Sequence, residues 1–63
     1  MKRFFVEDLV CNHCVERITK AMEEEGMNGR VLLEEQIVEL NDEVDESAAE
    51  ELLLDLGFTP KKI

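Results

Sequence analysis

"KRFFVEDLVCNHCVERITKAM", Lys2 to Met22, changes its hydrophobic period once, at a pair of cysteines. Before them, Lys2 to Glu7 is rich in β-formers, with Phe4 and Val6 on one side of an extended chain and Phe5 on the other. After them, Val15, Ile18, Ala21 and Met22 recur at helical spacing, opposite Glu16, Arg17, Lys20 and Glu23. A strand therefore runs into a loop bearing Cys11 and then into a helix that Cys14 opens. Gly26, following Glu23-Glu24-Glu25, predicts a left-handed cap, with three acids set against the negative end of the helix dipole.

The remaining segments complete the pattern. In "RVLLEEQIVEL", Arg30 to Leu40, a hairpin turning at Glu35-Gln36 pairs Leu33 with Val38 and Val31 with Leu40. These four share one face, leaving Leu32, Glu34, Ile37 and Glu39 on the other. "DESAAEELLLDLG", Asp45 to Gly57, reads as a second helix capped by Asp45 or Ser47, with Ser47 and Glu50 as a capping box. Ala49, Leu52, Leu53 and Leu56 form its buried stripe, and Leu54 falls off it. "FTPKKI", Phe58 to Ile63, suits a short strand that Pro60 confines to a sheet edge. Strand, helix, strand, strand, helix, strand buries every stripe if two helices cover one face of a four-stranded antiparallel sheet. The expected fold is a ferredoxin-like α+β sandwich, with residues 1–63 as a single domain.

Composition excludes several classes of function. Sixteen acidic against seven basic residues give a formal charge of −9. Such a field repels nucleic acid, whose binding proteins need a basic face. It also implies that a protein partner presents a basic patch. Apolar runs reach only three residues, as in Leu52-Leu53-Leu54, whereas a membrane span needs about 20. A cytoplasmic chain without membrane insertion is the expectation.

Cys11 and Cys14 are the two cysteines of the chain. A bridge across so short a loop hardly restricts the unfolded chain, so they are not structural staples. At the start of a helix, unpaired N–H groups and the positive dipole end favour thiolate over thiol. Thiolates select Cu(I), zinc or iron–sulfur clusters. A cluster needs about four cysteines, and a structural zinc site wants four ligands; Cu(I), content with two or three sulfurs, fits best. At a metal–sulfur distance of about 2.3 Å the two sulfurs would stand ~4–5 Å apart. His13, between the cysteines, is the candidate third ligand, and its participation would shift the preference toward Zn(II) or another divalent ion. Met1, Met22 and Met27 are thioether candidates for copper, of which Met22, on the core stripe, and Met27, after the helix cap, are better explained by packing. Asp8 is expected to raise the pKa of the thiols. The same C-x-x-C arrangement also suits thiol–disulfide exchange, so a redox module is the rival reading, and a metal-sensing interaction domain is a third.

"VEDLVCNHCVERITKAM" resembles the opening of heavy-metal-associated domains, whose signature is roughly V-E-G-M-T-C-x-x-C. The resemblance extends through Val44, ahead of the second helix, to "DLGFTPKK", where the family commonly has a Gly-Tyr turn into its last strand. It implies a ferredoxin-like metallochaperone that holds Cu(I) on Cys11 and Cys14, with Cys11 the more mobile, and has no enzymatic turnover. Transfer by ligand exchange to a metal-transporting ATPase or another metal-binding protein is implied as well. A metal-bridged homodimer is a further expectation for so exposed a site. The departures are Asp8-Leu9 for the family Gly-Met and Phe58 for the common tyrosine. Leu9 replaces the methionine volume for volume.

Overall fold

The computed structural model describes residues 2–63. Its elements are β1 (Lys2–Val6), α1 (Asn12–Glu24), β2 (Gly29–Leu32), β3 (Ile37–Leu40), α2 (Glu46–Asp55) and β4 (Pro60–Lys62). The four strands form one antiparallel sheet in the order β2-β3-β1-β4, and both helices lie on one of its faces. This is the expected ferredoxin-like sandwich, with β4 at an edge where the missing N–H of Pro60 breaks no central ladder. Among the described residues no helix is long and apolar enough to cross a membrane.

The core follows from the alternation of the central strands. Phe4 and Val6 of β1 and Val38 and Leu40 of β3 point to the helix side and are buried. Ile18 and Met22 of α1 and Ala49 and Leu53 of α2 close over them, with Leu9, Val44 and Phe58 sealing the connections. Both helices end as their glycines require. Met27 N–H bonds to Met22 O (2.8 Å) and Gly26 N–H to Glu23 O (3.1 Å), with Gly26 at φ 69°. The same pair of bonds recurs from Phe58 to Leu53 and from Gly57 to Leu54, both 3.0 Å, with Gly57 at φ 94°. Each is a Schellman motif, and the second turns Phe58 back into the core beneath the cysteine loop.

Four local expectations need correction. The hairpin pairs Val31 with Val38 and Leu32 with Ile37, two residues away from the expected register. A shift of two preserves the face of every side chain, so the core is unaffected. The cause is a turn over Leu33–Gln36 closed by Gln36 N–H to Leu33 O at 3.1 Å, with Gln36 left-handed at φ 59°. That places Gln36 O on Val6 N–H at 2.7 Å and the Gln36 side-chain amide on Glu7 O at 3.0 Å. Helix α1 begins at Asn12, two residues before Cys14, because Cys11 itself serves as N-cap. Asp45 caps α2, accepting the Ser47 N–H at 3.2 Å. Ser47 therefore lies inside the helix and forms no capping box with Glu50. Finally, Glu39 faces away from the helices as expected but is buried, closed over by Arg3 (Nε–Oε2 3.1 Å) and Arg30 (Nε–Oε1 2.9 Å). Those arginines occupy the register positions on either side of it.

Candidate metal centre

Three connections meet at one end of the sheet: the β1–α1 loop, the β2–β3 hairpin and the α2–β4 loop. Their meeting is imposed by pairing. Val6 lies opposite Pro60 on one side and bonds Gln36 on the other. After Val6 the chain turns through Glu7 and Asp8, closed by Leu9 N–H to Val6 O at 3.1 Å. Leu9 then drops fully into the core and pins the loop from below. It fills the place that the sequence comparison gives to a methionine.

Cys11 follows as the exposed N-cap of α1, in extended conformation (φ −148°, ψ 162°). Cys14 is one turn on, half-buried against the core. The two sulfurs are 3.1 Å apart and share a hydrogen bond in which either can donate. This is closer than the ~4–5 Å a shared metal ion sets between them, so an ion enters only as the pair opens. The Cys11 thiol is held below the usual thiol range, chiefly by the Cys14 sulfur and next by the N–H of Cys14 and the N–H of His13. Asp8, expected to push the thiols up, is not among the groups that shift Cys11. It sits in the exposed turn before Leu9, where water screens it.

His13 is exposed on the first turn of the helix. Among the described residues no three His, Cys, Asp or Glu side chains converge, so it is not gathered with the two sulfurs into a three-donor cluster. Met22 is buried in the core and Met27 packs against it, while Met1 lies outside the described residues. Arg17 went unremarked as a part of the site. One turn beyond Cys14, it reaches across to donate to Leu56 O at 3.0 Å and stacks 5.8 Å from the centroid of the Phe58 ring. It thereby ties α1 to the α2–β4 loop under the cysteines. Its spacing of three from Cys14 was the available sign, but its partner comes from a segment about 40 residues away.

No family model matches the chain, and no curated protein does. Two solved structures do, each over the full length of both chains. A crystal structure of a gold binding protein superposes with a TM-score of 0.85 at 17% identity, which speaks for the fold. The NMR structure of a heavy metal binding protein from Thermotoga maritima superposes at 0.76 with 30% identity. A shared fold, end-to-end coverage, that level of identity and a cysteine pair at the head of the first helix converge on one origin: the chain belongs to the heavy-metal-associated domain family.

Proposed function

We propose that this is a soluble heavy-metal-binding protein of the cytoplasm, a metallochaperone that carries Cu(I) on Cys11 and Cys14 and catalyses no reaction. The observation that carries the reading is the pair itself: two sulfurs 3.1 Å apart, one exposed and its thiol acidified, at a helix start. Two soft donors suit Cu(I), whereas zinc asks for two more ligands than the pair supplies. Loading replaces the thiol protons of the pair by the ion, so uptake releases protons to solvent.

Unloading follows from the difference between the two thiols. A partner thiolate adds to the ion, and the bond to Cys11 breaks first, because an exposed, acidified thiolate is the better leaving group. The bond to the half-buried Cys14 breaks last. The two sulfurs then recover the protons lost on loading, and the sulfur–sulfur hydrogen bond re-forms. Glu7, Asp8 and Glu16 surround the loop, which favours a partner with a basic docking face, such as a metal-transporting ATPase or another metal-binding protein. An exposed ion on two sulfurs also leaves room for a second copy to complete the shell, giving a metal-bridged dimer.

Titration of the reduced protein with Cu(I) under anaerobic conditions, against a chromophoric chelator, tests the assignment. One Cu(I) per chain is expected, and none for the variant with both Cys11→Ser and Cys14→Ser. Equal binding by that variant sinks the proposal. The short sulfur–sulfur separation favours one alternative, a thiol–disulfide exchange module, since it brings the atoms most of the way to bonding distance. Turnover in insulin reduction above the background of a free dithiol would move the assignment there.

A further inference from the structure

The side of the sheet away from the helices has a charge pattern opposite to that of the rest of the molecule. The strand register lays its side chains out in two rows. Leu32, Ile37, Phe5 and Lys61 are successive cross-strand neighbours in the row nearer the cysteine end. Arg30, Glu39 and Arg3 form the next row, extended by the exposed Ile63, whose N–H bonds Arg3 O at 3.2 Å. Of the sixteen acids of the chain only Glu39 lies in a paired strand, and it is already clasped by the two arginines. Of the seven basic residues three stand here. The guanidinium side chains of Arg3 and Arg30 remain 55% and 69% exposed, and each bond to Glu39 uses a single Nε. A buried carboxylate thus fixes two forked cations in place while leaving most of their donors facing solvent.

We infer that this open sheet face is a docking surface for a partner segment that carries carboxylates beside apolar side chains. The apolar side chains would cover Phe5, Ile37 and Leu32, and the carboxylates would meet Arg3, Arg30 and Lys61. The net charge of −9 does not forbid this. At physiological salt the Debye length is about 8 Å, so the local patch decides. Seven of the acids lie in the two helices, on the opposite face of the sheet. The surface is separate from the cysteine loop, whose surroundings are acidic and call for a partner region of the opposite sign.

A 15N-labelled NMR titration of the reduced full chain tests this, with a synthetic peptide of alternating Glu and Leu as probe and one of alternating Lys and Leu as control. Expected are shifts at Arg3, Phe5, Arg30, Ile37 and Lys61 with the acidic peptide only. Binding should weaken in ~1 M salt, which screens the forks, and also in ~0.01 M salt, where the acids behind the sheet are felt through it. Arg30→Glu should weaken binding about tenfold. Because that change also strips a partner from Glu39, Lys61→Glu and Leu32→Ser provide variants that leave the clasp intact, each expected to weaken binding several-fold. Acidic-peptide shifts confined to the helices, equal shifts at these sheet residues with the basic peptide, or a dimer in sedimentation equilibrium that Leu32→Ser dissociates would each overturn the inference.

Discussion

Glu39 and Cys11 are both acidified by neighbours, yet the two sites are built in opposite ways. Glu39 sits mid-strand, buried, with each carboxylate oxygen taken by an arginine held in register on the adjoining strand. Its pKa is lowered by the hydrogen bond from Arg30, then that from Arg3. Cys11 sits at the exposed tip of a loop, and its main stabilising partner is the other half of the site, the Cys14 sulfur. The Glu39 carboxylate is closed off by rigid neighbours, each of its oxygens taken by an arginine. The cysteine site is satisfied only by itself, so an arriving soft cation competes only with the hydrogen bond between the two sulfurs. In a chain this small, what separates a structural ion pair from a binding site is whether the partners are supplied by the sheet.

The contrast yields graded tests. Cys14→Ser alone should abolish tight Cu(I) binding in the chelator competition, since one thiolate cannot hold the ion. Leu53→Ala, in the core between helix and sheet, should cost about 2–5 kcal/mol in urea unfolding by leaving a cavity in a core with little to spare. Glu39→Gln should flatten the acid limb of the stability curve. The folded carboxylate has a lowered pKa, so its stabilisation is complete above the unfolded value near ~4.3 and is lost as pH falls through the lower folded value. Urea titrations between about pH 6 and pH 3 read this out, and an unchanged slope in the variant would mean that the clasp contributes nothing. For Cys11 the direction is the same at higher pH: alkylation by iodoacetamide near neutral pH should outpace that of a free thiol, with a midpoint below that of the free thiol. The smallest expected effect is that of Arg17→Ala. An exposed cation–π contact and one hydrogen bond give up about 0.5–1 kcal/mol in stability, while stopped-flow transfer to the chelator should quicken several-fold.

Periodicity made the architecture legible. Phe4 and Val6 against Phe5, and Ile18 and Met22 against Glu16 and Lys20, each bury as their spacing requires. The cysteine pair was legible because so few residue types combine softness with charge. Less accessible were features decided between segments. The two-residue slip of the hairpin depends on Gln36 adopting a left-handed conformation to meet Val6 and Glu7, and Glu-Gln carries no local signal for that. Glu39 reads as a solvated strand residue until Arg3 and Arg30 are set beside it. The 3.1 Å sulfur contact likewise depends on Cys11 being the cap rather than a loop residue outside the helix.

The grip of Gln36 on Glu7 joins the tip of the hairpin to the first residue of the cysteine loop. A longer or shorter tip could fold equally well and still lose that hold, releasing the approach to Cys11. The length of a turn that carries no sulfur therefore bears on how the start of the cysteine loop is held, and a graft of Val6–Cys14 onto another sheet would need this brace to travel with it.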